Sequence, residues 1–93
     1  MADSAALYAI AHGRVQGVYY RAFTCKTAVS LGLTGYVCNL PDNSVEIGAE
    51  GNKQQLEKLV VQLRKGSPGA RVDDLEISWS GYTGKYDDFS VTG

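Results

Sequence analysis

Residues Gly13 to Arg21, Gly-Arg-Val-Gln-Gly-Val-Tyr-Tyr-Arg, hold the side chains and spacing best suited to chemistry. The stretch leaves a predicted strand, passes Gly13 and Gly17, and opens a predicted helix with Arg21 in its first turn. A helix N-terminus carries partial positive charge, so a cation there costs a few tenths to ~1 kcal/mol. No Ser, Thr, Asp or Asn stands at Gly17 or Val18 to accept from the first free amides. Uncapped donors, a guanidinium and glycines that let backbone approach a ligand share one remedy, a bound oxyanion such as phosphate. An arginine suits such a ligand because its planar fork can donate to two oxygens at once.

Asn39, at the end of a predicted strand, admits two readings. Its amide could bond its own turn, or it could orient a water by donating and accepting at once. Other residues carry plainer expectations. His12 reads as a packed or partly exposed strand residue, Arg14 as facing solvent, and Gln16 as contributing its backbone amide rather than its side chain. Tyr19, Tyr20 and Phe23 read as packing around the loop, and Lys26 and Lys53 as solvated helix residues. Cys25 and Cys38 show neither a CxxC pair nor zinc spacing, and the chain has 1 histidine, so free thiols are expected and a metal cluster is not. Paired carboxylates are also missing, as is a Cys or Ser set beside a base.

The elements that must position these residues follow from periodicity. Leu7 to Val15 is nearly continuous in apolar residues, which predicts a central strand packed on both faces. Tyr20, Thr24, Ala28 and Leu31 recur at helical spacing, and Gly32 stops that helix. Thr34 to Asn39 and Ser44 to Glu50 form a predicted hairpin around Leu40-Pro41-Asp42-Asn43, where Asn43 can enter the left-handed region. Gly51-Asn52 opens a second helix with the stripe Leu56, Leu59, Val60 and Leu63, ended by Gly66. A long strand is predicted from about Ala70 to Ser80, with Leu75, Ile77 and Trp79 at period two, and Phe89 and Val91 mark a short last strand.

At 93 residues the chain is expected to form a single domain over residues 1–93. A formal net charge of -1 argues against a nucleic-acid binder with a broad basic face, and an RNA-binding sheet of this topology would need a basic-aromatic signature that is absent. No apolar run reaches the length of a membrane span and no signal-peptide pattern opens the chain, so a cytoplasmic location is the expectation; a monomer is expected as well. The order β-α-β-β-α-β plus a terminal strand predicts an α+β, ferredoxin-like sandwich: an antiparallel sheet with two helices on one face and a short extra C-terminal strand.

The Gly13–Arg21 block, together with Gly35-Tyr36-Val37-Cys38-Asn39, closely resembles the acylphosphatase family. The family pattern is Gly-x-Val-Gln-Gly-Val-x-Phe-Arg followed by Gly-Trp/Tyr-Val-x-Asn, and this chain departs from it at Tyr20, where Phe is usual. Ser44-Val45-Glu46 continues the match, and Asn43 stands where Gly is frequent. The resemblance implies a cofactor-free, metal-free hydrolase of acyl phosphates. It implies that backbone amides from Val15 through Gln16, Gly17, Val18 and Tyr19 to Tyr20 wrap the phosphate, that Arg21 clamps it, and that Asn39 holds the attacking water. The alternative from another class is a non-catalytic ferredoxin-like module that binds a phosphorylated or anionic ligand through the same loop.

Overall fold

Period-two burial builds the sheet and 3.6-residue burial builds the helices. The computed structural model describes residues 3–92. Its elements are β1 (Ser4–Arg14), α1 (Tyr20–Ser30), β2 (Thr34–Asn39), β3 (Val45–Asn52), α2 (Lys53–Lys65), β4 (Arg71–Gly81) and β5 (Phe89–Val91). Leu7, Ala9 and Ala11 of β1, Val37 of β2, and Val45, Ile47 and Ala49 of β3 alternate onto one face. There they meet Tyr20 and Ala28 of α1 and Leu56, Leu59 and Leu63 of α2, forming one continuous core. Burying each of those leucines contributes about 1.5–3 kcal/mol before entropy.

The caps fall where the residues call for them. Asn52 is the N-cap of α2, its side chain accepting from Gln55 N at 3.2 Å, while Arg64 and Lys65 lie in the last turn, complementing the helix dipole. β3 therefore runs two residues beyond Glu50, straight into the helix. In the β2–β3 turn, Asn43 adopts φ 73°, the left-handed conformation expected of it.

The sheet order is β4-β1-β3-β2-β5. The two helices and the four ferredoxin-like strands stand as expected, with two corrections. First, β5 pairs parallel to β2, so the sheet is mixed rather than antiparallel. The chain leaves β4 at one edge and crosses to the other, and β5 consequently runs alongside β2 in the same direction. Glu50, only 3% exposed, anchors that crossing. Its carboxylate accepts from Thr83 Oγ1 at 2.7 Å, Thr83 N at 3.2 Å and Gly84 N at 2.8 Å. Second, β1 is central but covered on one face only, because Tyr8 on its other face is 40% exposed. The Tyr8 hydroxyl donates to Glu46, and that bond to a carboxylate pushes its pKa up to about 12. Trp79 is likewise exposed, and Lys53, expected to be solvated, has its ammonium 5.4 Å from the Trp79 ring centroid.

Candidate functional site

The loop between β1 and α1 owes its shape to three left-handed residues. The β1–β4 register shifts between His12 and Gly13, and Gly13 lies so close to β4 that a Cβ would stand 2.2 Å from Arg71 O. Gly17 follows at φ 73°. Tyr19, the N-cap of α1, sits at φ 61° and ψ 21°, a conformation that costs a non-glycine residue about 1–2 kcal/mol. Its side chain makes no capping bond, and no acidic residue stands in the first turn. Phe23 N donates to Tyr19 O at 3.0 Å, leaving the amides of Tyr20, Arg21 and Ala22 without an intrahelical acceptor.

Around these amides lies a cavity of ≈ 390 Å³, lined by Val15, Gly17, Tyr19, Tyr20, Arg21, Ala22 and Val91. Arg21 is half-buried in its wall and takes part in neither of the two contacts between a basic side chain and a carboxylate found among the described residues, His12–Glu76 and Arg71–Asp73. The fold thus brings together five of the seven residues expected to wrap an anion. Val18 instead packs partly buried against the core. Gln16 turns its side chain to the β2–β3 turn, where Nε2 donates to Leu40 O at 2.9 Å and Ser44 O at 2.8 Å.

Two further contacts hold the loop from behind. Buried Ser67 donates its hydroxyl to Val18 O at 2.9 Å. Tyr20 is 1% exposed, and its hydroxyl donates to Leu63 O at 2.9 Å, satisfying a carbonyl in the last turns of α2; burial pushes the phenol pKa well up. The Tyr20 hydroxyl is therefore directed into the core, away from any ligand in the cavity. Tyr19 corrects the packing expectation, since its left-handed backbone leaves the ring 85% exposed. Phe23 does pack, its ring centroid 6.2 Å from that of Tyr20. The side-chain contacts of Gln16 and Ser67 were not legible in the sequence, because their acceptors are main-chain carbonyls that no residue type marks.

Asn39 does not line the cavity. It ends β2 two residues beyond Val37, whose register partner in β5 is Val91 of the cavity wall. Asn39 Oδ1 is buried with no protein hydrogen-bond partner, as is Thr24 Oγ1 one turn beyond Arg21, and among the described residues these are the two such side-chain atoms. A buried carbonyl without a donor is an acceptor that a water could satisfy. The neighbouring Cys38 thiol has its pKa raised by burial and by Glu46, with Thr92 and Arg21 opposing the rise. Both cysteines are free.

Among the described residues, one group has metal-ligand chemistry: His12, Asp74 and Glu76, whose ligand atoms lie within 4.8 Å of one another. It does not line the cavity, His12 is already bonded to Glu76, and exposed carboxylates of this kind are common without an ion. Among the described residues no helix is long and apolar enough to cross a membrane.

Comparison with known proteins gives the same family from sequence and from structure. The sequence model of the acylphosphatase family matches residues 7–91. An acylphosphatase of Thermus thermophilus is 52% identical over 73 residues, 78% of this chain and 83% of that protein. One from Dehalococcoides mccartyi is 46% identical over 86 residues, covering 91% of this chain and 94% of that protein. The crystal structure of acylphosphatase from Bacillus subtilis superposes with a TM-score of 0.93 at 35% identity, covering 96% of this chain and 99% of that one.

Proposed function

The chain belongs to the acylphosphatase family, and from that membership we propose that it hydrolyses acyl phosphates to a carboxylate and inorganic phosphate with Arg21 and Asn39 as its working side chains. One observation carries the anion-binding roles: an uncapped helix start, bent by left-handed Gly17 and Tyr19, faces a cavity with an unpaired guanidinium in its wall. Free amides and a guanidinium are complementary to the charge that builds on a transferring phosphoryl group.

In this reading the amides from Val15 to Tyr20 and the Arg21 fork hold the phosphoryl oxygens. Asn39 holds a water whose oxygen attacks phosphorus, and the spare Oδ1 is the acceptor that would orient it. The bond between phosphorus and the carboxyl oxygen breaks, and its electron pair leaves with the carboxylate. That leaving group is a weak base and departs without a proton, so no general acid is required. The water's proton passes to a phosphate oxygen. Positioning and charge stabilisation then supply the acceleration.

Phosphate release from a simple acyl phosphate tests the reading. Arg21→Lys should lose turnover on the order of 10²-fold, because a point charge cannot replace two parallel donors. Asn39→Ala should lose kcat to a similar order while inorganic phosphate still inhibits at an unchanged concentration. Wild-type protein that binds phosphate without turning over substrate would instead be a binding module. Full activity in Arg21→Lys would remove the clamp from the account.

A further inference from the structure

Gln16 spends both protons of its side-chain amide on the far side of the loop, on carbonyls 24 and 28 residues away in sequence. Those carbonyls, Leu40 O and Ser44 O, are the two ends of the turn that begins directly after Asn39. Within that turn Leu40 N donates to Ser44 O at 2.9 Å and Asn43 N donates to Leu40 O at 3.2 Å. The Asp42 carboxylate accepts from Ser44 N at 3.1 Å and from the Ser44 hydroxyl. The turn is thus stiff by its own bonds, and Gln16 ties it as one piece to the anion loop. The opposite shoulder of the loop is held independently, by Ser67 on Val18 O.

We propose that Gln16 is a positioning residue: its side-chain amide sets the separation between the backbone amides that hold phosphate and the Asn39 side chain that holds water, while itself touching neither. This role rests on the acyl phosphate reading above and adds to it the element that keeps its two halves in register. Its acceptors both lie in the turn that follows Asn39 directly, so loss of the tie releases Asn39 and leaves the Arg21 side of the cavity in place. A misplacement of about 1 Å in a reacting geometry costs on the order of 10²-fold in rate.

Gln16→Met keeps length and approximate volume and removes both donors. For this variant kcat on a simple acyl phosphate should fall on the order of 10- to 100-fold, with the inhibition constant for inorganic phosphate unchanged. On an Asn39→Ala background the same substitution should cause no further loss, since it acts through Asn39. A nuclear magnetic resonance titration with inorganic phosphate separates the two proposals. The Gly17 and Tyr20 amides should respond with one midpoint in both proteins, and the Asn39 side-chain amide should respond in the wild type alone. If Gln16→Met fails to fold, the shorter-armed Gln16→Asn is put through the same measurements with the same expectations. Unchanged kcat, parallel losses of kcat and phosphate affinity, or a full additional loss on the Asn39→Ala background would each overturn the positioning role. A wild-type titration that moves neither the loop amides nor Asn39 would instead bring down the phosphate reading, and this role with it.

Discussion

Tyr20 shows how a single atom is assigned to fold or to chemistry. It occupies the first helical position of α1, where the family pattern has Phe, so its backbone belongs to the proposed anion loop while its hydroxyl bonds Leu63 O. That bond joins the start of α1 to the end of α2 inside the core. Tyr20→Phe should therefore lower stability by about 1 kcal/mol, measured by urea unfolding, and leave kcat and phosphate inhibition as they were. A changed kcat with unchanged stability would return the hydroxyl to the reaction. At this scale the sequence was legible where a residue type is itself the signal. Arg21 lies at a helix start with no cap, Gly17 takes a positive φ, and Asn43 fills a left-handed turn position. It was illegible where a side chain seeks a main-chain carbonyl, as Gln16, Ser67 and Tyr20 do.

Among the elements, the segment from β4 to β5 depends most on one distant group. Strand and helix positions followed from alternation and helical spacing, and the β2–β3 hairpin was legible from its turn. The direction of β5 was not, because it is set by a crossing without periodicity, whose anchor, Glu50, lies 33 and 34 residues before its partners. The Glu50 charge is opposed by burial, yet the bonds from Thr83 and Gly84 outweigh this and hold its pKa below the ordinary glutamate value. The folded pKa is the lower one, so the anchor's contribution is complete above the unfolded value. It is lost as pH falls towards and through the folded value. Acidification from pH 7 to 3 should accordingly loosen the crossing, seen as faster amide exchange at Thr83 and Gly84. Glu50→Gln should show that loosening already at pH 7 and little further change on acidification. Equal exchange in both proteins across this range would mean that the carboxylate is not the anchor.

For the whole molecule, the loop between β1 and α1 is where the described chain keeps left-handed strain at Tyr19, unbonded helix amides and an unpaired guanidinium close together. Each of these terms is unfavourable in isolation, and the core of α1, α2 and the sheet must carry them when no ligand is bound. In the proposed reading a tetrahedral oxyanion relieves two of them at once and finds no such site in the unfolded chain. Folding and binding are therefore linked, and phosphate at 100 times its dissociation constant should stabilise the native state by about 2.7 kcal/mol. For a domain of this size each 1 kcal/mol raises Tm by roughly 4–8 °C, so the expected shift is on the order of 10–20 °C. Sulfate, which is also tetrahedral, should reproduce part of it, and chloride at matched ionic strength should not. Arg21→Ala should remove most of the phosphate shift, whereas Asn39→Ala should keep it, because the proposed water site is not part of the proposed anion grip. Since phosphate also strengthens burial in any protein through exclusion from its surface, the decisive comparison is between variants. An Arg21→Ala protein that gains as much Tm from phosphate as the wild type would show that the salt acts on the whole surface and that the loop holds no anion.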